Sequence, residues 1–202
     1  MSWSGFFITI EGIDGSGKST LIDELEEEYF ASTTAEPSEF WTGKVVRKAL
    51  RDDTHPFTDF FLFMSDRHHH IEEYILARLH SGEMVISDRF TDSTLAYQPV
   101  QLENELDNPR DWMGDVMSPW NIEPNKTLFL DISVDTALER ADEEEKYEKR
   151  GMLERVKDNY DTLIEQNPDR FIVIDGEQTP RKVRRDAISS LRKPVRENLL
   201  DR

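Results

Sequence analysis

Short apolar runs alternate with amphipathic stretches along most of the chain. The runs are rich in β-branched and aromatic residues, as expected of buried parallel strands, and cover 6–10, 32–35, 84–87, 127–132 and 171–174. Apolar positions recurring every three or four residues predict helices between them, the longest over 57–79, 152–165 and 179–191. Strands that alternate with helices predict an α/β fold: three layers, with a mostly parallel five-stranded sheet and helices on both faces.

The domain organisation is predicted to be simple. The chain has no internal repeat and no linker-like composition, so we expect one domain over residues 1–202. Residues 194–202 follow the last predicted helix, begin with a proline and are expected to be loosely held. Ligands of parallel sheets gather at the carboxyl ends of the strands, so we expect the functional site at that edge.

Acidic residues dominate the composition. The chain has 42 Asp and Glu against 25 Lys and Arg, for a formal net charge of −17. Such a charge repels nucleic acids and anionic membranes, and we find no basic stripe in the sequence, so neither is an expected partner. The acidity is typical of proteins that work at high salt, where screening relieves self-repulsion; an ordinary solvated acidic surface is the alternative.

Other compositional features narrow the class further. No apolar run reaches the length of a membrane span, and the first residues, MSWSG, do not resemble a signal peptide. We therefore expect a cytoplasmic protein. The absence of cysteine excludes disulfides and thiolate metal sites.

The segment 12–20 reads GIDGSGKST and matches the phosphate-loop pattern G-x-x-x-x-G-K-[ST]. It follows a predicted strand and precedes a predicted helix, which is the context this motif requires. Glycines let the backbone aim several N–H groups at one phosphate, Lys18 can reach the β- and γ-phosphates, and the Ser19 hydroxyl can ligate Mg²⁺. The residues predicted to hold the nucleotide are Gly12, Ile13, Asp14, Gly15, Ser16, Gly17, Lys18, Ser19 and Thr20.

A second chemical group follows the predicted strand 84–87. Asp88 stands where a phosphate-loop enzyme has its magnesium-side carboxylate, which makes it a candidate metal ligand together with Ser19. A helix cap or a surface ion pair is the alternative for this carboxylate. The run His68-His69-His70 does not predict a metal site, because consecutive residues of a helix point in different directions.

Longer motifs surround these residues. Residues 88–98, DRFTDSTLAYQ, are similar to the pattern D-R-[YF]-x-x-S-x-x-A-Y-Q, and residues 62–70, LFMSDRHHH, to L-F-x-x-D-R-x-x-H. Residues 7–20 follow F-I-x-x-E-G-x-D-G-x-G-K-S-T, and R-V-x-x-x-Y and F-x-x-I-D-G recur at 155–160 and 171–176. In this combination the chain resembles the thymidylate kinases, a family of P-loop nucleoside monophosphate kinases, over about residues 6–176.

The resemblance implies an enzyme that phosphorylates dTMP to dTDP with ATP and Mg²⁺, by direct in-line transfer. It implies that Phe63 stacks on thymine, that Arg67 hydrogen-bonds the carbonyl edge of the base, and that Tyr97 lies against the deoxyribose. Arg89 would hold the acceptor phosphate, and Asp14 would lie near the sugar 3′-hydroxyl and the metal. The implied substrate-binding residues are Phe63, Arg67, Arg89, Thr94, Tyr97, Arg47 and Pro37.

The segment 141–151 is charged and weakly apolar, and we expect it to form a short lid that closes over ATP. Family members without a basic residue inside the phosphate loop usually carry several in the lid, and the loop here has Ser16 at that place. The lid begins ADEEE, so Arg140 and Lys146 remain as candidates for stabilising the transferring phosphoryl group. The predicted catalytic residues are Lys18, Arg89, Asp14, Arg140 and Lys146.

Three functional hypotheses remain open on the sequence alone. The first is a thymidylate kinase, for which the resemblance also implies a homodimer packed through the helix 57–79. The second is a kinase for another deoxynucleotide or a deoxynucleoside. The third is a catalytically weak homologue that binds nucleotide and acts as a regulator, motivated by the acidic lid. The residue types alone also fit ordinary packing of Phe63 and Tyr97, and an ion pair of Arg67 with a neighbouring acid.

Overall fold

The sheet forms the centre of the computed structural model, which describes residues 3–52, 54–140 and 146–200, without the side chains at 146–149 and 199–200. Its strands are β1 (Phe6–Glu11), β2 (Ser32–Ala35), β3 (Met84–Asp88), β4 (Lys126–Asp131) and β5 (Phe171–Asp175). They lie in the order β2-β3-β1-β4-β5, and all four pairings are parallel. The predicted five-stranded α/β fold is confirmed.

Helices connect the strands. They are α1 (Lys18–Tyr29), α2 (Trp41–Arg51), α3 (Pro56–His70), a π-helical segment (Ile71–Ile75), α4 (Leu76–His80), α5 (Thr91–Leu102), α6 (Pro109–Met117), α7 (Val134–Glu139), α8 (Lys146–Gln166) and α9 (Pro180–Leu200). Among the described residues, no helix is both long enough and apolar enough to span a membrane.

The central strand β1 is buried along its whole length because helices cover both faces of the sheet. Ile8 and Ile10 pack with α1 and α9 in one apolar cluster. Phe7 points to the opposite face and packs with the π-helical segment and α4. A third cluster joins Phe129 of β4 to α8 through Tyr160. Because β1 is the middle strand of the sheet, its end and the loop that follows it lie in the middle of the carboxyl edge.

Two helices contain local irregularities. The helix predicted over 57–79 contains the π-helical segment, a wider turn that leaves Ile71, Ile75 and Leu79 all buried. Helix α5 continues through Pro99 to Leu102, whose burial anchors its last turn.

The segment from residue 194, expected to be loosely held, includes the last turns of α9, which runs through Pro194 to Leu200. Val195 packs against the apolar cluster between the sheet and the helices α1 and α9, so the amphipathic pattern of α9 continues past the proline. Of the predicted lid, 141–151, residues 141–145 lie outside the described residues, and α8 begins at Lys146.

Candidate active site

The loop between β1 and α1 is shaped by glycines in conformations that other residues rarely adopt. Gly12, Gly15 and Gly17 have φ angles of 146°, 81° and 94°. A Cβ atom at Gly12 would lie 2.8 Å from the carbonyl oxygen of Leu130, so the strand β4 also excludes a side chain there. Helix α1 begins directly after Gly17, which directs its free N–H groups toward the loop.

Lys18 lies over this loop rather than in solvent. Its Nζ donates to the carbonyl oxygens of Gly12 at 3.1 Å and Ile13 at 3.2 Å. Burial, reinforced by the nearby positive charge of Arg89, lowers the pKa of Lys18 to about 8, although the carboxylates of Asp14 and Asp88 oppose this shift. A cation held over a ring of backbone N–H groups suits a polyphosphate.

Ser19 and Asp88 meet beside the loop. The Ser19 hydroxyl donates to Asp88 Oδ2 at 3.4 Å, and Asp88 Oδ1 is buried with no hydrogen-bond partner among the described residues. A hydroxyl and one carboxylate are oxygen ligands of the kind that Mg²⁺ prefers, with phosphate and water oxygens completing its shell. The residues present therefore fit a magnesium ion.

Arg89 occupies a strained turn at the carboxyl end of β3. Its φ of 67° is unusual for a residue other than glycine, and its N–H donates to the Ile10 carbonyl at 3.0 Å. Its guanidinium donates from Nη1 to Ser93 Oγ at 2.9 Å and from Nη2 to Asp14 Oδ1 at 2.5 Å. It also lies 5.1 Å from the centre of the Tyr97 ring. The turn thus points the guanidinium across the end of the phosphate loop.

A cavity of about 360 Å³ opens beside Arg89. Six of the seven predicted substrate-binding residues line it: Pro37, Phe63, Arg67, Arg89, Thr94 and Tyr97. The half-buried Phe63 ring presents an apolar surface. The Tyr97 hydroxyl is buried without a hydrogen-bond partner in the described structure, and burial raises its pKa. An apolar cavity with a few convergent polar groups is typical of a small-molecule site.

Arg67 is the most enclosed charged residue of this cavity, with 1% of its surface exposed. Its Nε donates to Glu36 Oε2 at 2.8 Å and its Nη2 to Thr94 Oγ1 at 2.8 Å. Its Nη1 faces Met117 Sδ at 3.5 Å, a weak acceptor. The guanidinium is thus fixed by an ion pair while Nη1 keeps donor capacity.

Glu36, the ion-pair partner of Arg67, also contacts a second buried side chain, that of His70. Its Oε1 lies 3.2 Å from Nδ1 of His70, whose Nε2 lies 2.6 Å from Thr34 Oγ1. Burial alone would raise the pKa of Glu36, but Arg67 and His70 hold it below its usual value. The carboxylate is therefore ionised and orients Arg67.

A second cavity, of about 550 Å³, lies over the phosphate loop and is lined by residues 14–15 and 17–20. It shares four lining residues with the first cavity: Asp14, Glu36, Pro37 and Arg89. Arg47 also lines it, but donates to the carbonyl oxygens of Pro37 at 2.7 Å and Ser38 at 2.8 Å. Arg47 therefore stabilises the loop that separates the two cavities.

Comparison with known proteins agrees with this architecture. A family model described as Thymidylate kinase matches residues 10–187. The chain is 40% identical to a protein of Methanoculleus marisnigri, over 93% of its own length and 98% of that relative. It is 38% identical to a protein of Methanococcoides burtonii, over 93% of its own length and 96% of that relative. It is 38% identical to a protein of Halorubrum lacusprofundi, over 87% of its length and 92% of that relative. All three relatives are named "Probable thymidylate kinase".

The chain belongs to the thymidylate kinase family.

The region next to the predicted lid is only partly described. Arg140 follows α7 and donates from Nη1 to the Gly15 carbonyl oxygen at 2.6 Å, so it lies against the phosphate loop. The predicted contribution of Lys146 concerns a side chain outside the described residues.

The histidine run has three different surroundings. His68 packs edge-on against Trp120, His69 against Phe40, and His70 bonds to Glu36 and Thr34. The rings point apart, as expected for consecutive residues of a helix.

Sequence reasoning missed several residues that line the 360 Å³ cavity: Leu50, Ser93, Gln98, Gln101 and Met152. Gln98 carries a buried Oε1 with no partner in the described residues. Its place at the end of the Ala-Tyr-Gln motif of thymidylate kinases was the available signal. Leu50 and Met152 reach the cavity from distant helices, so no local pattern marks them.

Proposed function

We propose that this protein transfers the γ-phosphoryl group of ATP to dTMP and forms dTDP in nucleotide biosynthesis. The observation that carries the proposal is that the phosphate-loop cavity and the apolar cavity share Asp14 and Arg89 at their junction. A donor and an acceptor bound in adjoining cavities bring their phosphates together, and catalysis then consists of positioning and charge neutralisation.

On the donor side, the loop N–H groups and Lys18 would bind the β- and γ-phosphates. Ser19 and Asp88 would hold Mg²⁺, which supplies charge neutralisation for the transferring group. Arg140 lies against Gly15 and is placed to contribute a further positive charge, with Lys146 as a second candidate. No covalent intermediate is required, because the acceptor phosphate oxygen attacks directly.

On the acceptor side, Arg89 would hold the dTMP phosphate at the junction. The Phe63 ring would stack on thymine, and the Nη1 group of Arg67 would donate to a carbonyl oxygen of the base. Thr94 would contribute a hydroxyl beside Arg67, and Tyr97 would crowd a 2′-hydroxyl of ribose. Arg47 and Pro37 would act through the loop between the cavities.

A coupled assay of ADP formation tests this function and separates it from its alternatives. We expect turnover with dTMP and dUMP, poor turnover with dCMP, and UMP below dUMP. A preference for dCMP or for thymidine would favour another deoxynucleotide kinase or a nucleoside kinase. Nucleotide binding without turnover of any acceptor would favour a regulatory homologue.

Two further properties are part of the proposal. The charge of −17 supports adaptation to high salt, where ions screen the repulsion between carboxylates. A homodimer through α3 is supported by Phe61, which exposes 51% of its surface on that helix. It is also supported by the exposed Trp41 of α2, whose ring lies beside His69 of α3. Light scattering of the purified protein measures the oligomeric state directly.

A further inference from the structure

Three motif residues have no part in the function described so far. Glu11 ends β1, Ser93 lies in the first turn of α5, and Tyr160 lies on α8. They are far apart in the sequence, but the structure brings their side chains into one hydrogen-bonded cluster. Glu11 and Tyr160 are fully buried, and neither lines the two cavities of the described structure.

The Glu11 carboxylate is the centre of this cluster and accepts four hydrogen bonds. Its Oε1 accepts the N–H groups of Phe90 at 2.8 Å and Ser93 at 3.3 Å. Its Oε2 accepts the hydroxyls of Ser93 at 2.6 Å and Tyr160 at 2.8 Å. Helix α5 has no side-chain cap of its own, so a carboxylate from the neighbouring strand caps it.

The cluster continues to Arg89. The Ser93 hydroxyl has one proton, which it donates to Glu11, so its lone pair is left to accept the Nη1 group of Arg89 at 2.9 Å. The Phe90 N–H bond to Glu11 comes directly after the strained backbone of Arg89. Glu11 therefore supports both the turn that carries Arg89 and the direction of its guanidinium.

We propose that Glu11 and Tyr160 are positioning residues that act through the Ser93 hydroxyl to fix the Arg89 guanidinium at the junction of the two cavities. This inference deepens the proposed function and rests on it, because Arg89 is there the group that holds the acceptor phosphate. The competing explanation is that the cluster only ties α5 and α8 to the sheet. That explanation predicts lower stability with no specific effect on Arg89.

A double-mutant cycle separates the two explanations. Tyr160→Phe and Glu11→Gln are made in the wild-type protein and in Arg89→Ala, and dTMP binding is measured by calorimetry at pH 8. We expect Glu11→Gln to weaken binding by about 10- to 100-fold, the scale of hydrogen bonds to a charged group. Tyr160→Phe should weaken it by about fivefold, because Glu11 keeps its other three hydrogen bonds. In Arg89→Ala, both changes should have almost no further effect. Because Tyr160→Phe removes only one hydroxyl, it still allows the coupling to Arg89 to be measured if Glu11→Gln folds poorly.

Asn159→Ala is the matched control. Asn159 Nδ2 donates to the Ala96 carbonyl at 2.8 Å, so it ties the same two helices one residue away from Tyr160 without contacting Glu11. We expect this variant to bind dTMP like the wild type, and Tyr160→Phe to leave ATP binding unchanged. Effects that add to that of Arg89→Ala, or an equal loss in Asn159→Ala, would overturn the proposal. If the wild type phosphorylates another monophosphate faster than dTMP, the cycle is measured with that nucleotide, so a wrong base assignment is detected separately.

Discussion

The buried pair of Arg67 and Glu36 allows a quantitative prediction of base choice. Arg67 Nη1 faces only a sulfur atom at 3.5 Å within the described residues, so a thymine carbonyl would give it a good acceptor. The cytosine amino group at the same place would leave two buried donors facing each other. Each stranded donor costs about 1–3 kcal/mol. Allowing for the open side of the cavity, we expect about 2–4 kcal/mol, or about 30- to 1000-fold discrimination.

The informative perturbation replaces both partners, as Glu36→Gln/Arg67→Gln. Arg67→Gln alone would leave the Glu36 carboxylate buried, which costs about 3–5 kcal/mol of stability. The double variant removes the charges together, and a glutamine can present either a donor or an acceptor to the base. We therefore expect its preference for dTMP over dCMP to fall to about tenfold or less.

The assay is kcat/KM for dTMP and dCMP at one salt concentration, with unfolding curves of wild type, single and double variants. The single variant should be the least stable of the three, because it alone keeps the buried Glu36 carboxylate without its arginine partner. If the double variant keeps the wild-type ratio, or if the wild type does not discriminate, Arg67 does not read the edge of the base.

Four further predictions concern the donor site, the junction and the charge of the protein. Lys18→Ala should lower kcat by at least about 100-fold with the fold intact, and near wild-type turnover would contradict its role. Arg89→Lys keeps the charge but loses the planar guanidinium that can donate two parallel hydrogen bonds, so we expect kcat/KM for dTMP to drop by about tenfold or more. Unchanged steady-state kinetics would show that Arg89 does not bind the acceptor phosphate. Burial, with the charge of Asp92, raises the pKa of Glu11 from 4.5 to about 7, so the folded state binds this proton more tightly. The Glu11 contribution to stability should therefore decline as the pH rises from 4.5 to 7. Denaturant unfolding at pH 5 and pH 8 should show that the wild type loses more stability than Glu11→Gln. Equal losses in the two proteins would show that the pKa of Glu11 is not raised. The melting temperature should rise between dilute buffer and molar KCl, because salt relieves the repulsion of a −17 charge; a flat or falling value would exclude salt adaptation.

The local motifs allowed much of the site to be predicted from the sequence. The phosphate loop depends on glycines, one lysine and its flanking strand and helix, all within 20 residues, so its geometry follows from neighbours in the chain. Asp88 and Arg89 were recognisable because they end an apolar strand. The pairing of parallel strands then places them beside the loop.

Other parts of the site depend on contacts that no local pattern encodes. Nothing in the sequence distinguishes an Arg47 that faces a phosphate from one that donates to the carbonyls of Pro37 and Ser38. Met152 and Leu50 line the cavity because α8 and α2, which are distant in the sequence, both reach it. The continuation of α9 through Pro194 follows from the packing of Val195 against the apolar cluster between the sheet and the helices α1 and α9, which overrides the local signal of a proline.

The most direct test of the account counts products. The protein is incubated with ATP, Mg²⁺ and dTMP, and ADP and dTDP are quantified in the same sample by chromatography or ³¹P NMR. Direct transfer across the shared junction predicts one dTDP for each ADP, with ADP formation negligible when dTMP is omitted. ADP without dTDP, or no turnover with dTMP at any salt concentration, would contradict the account.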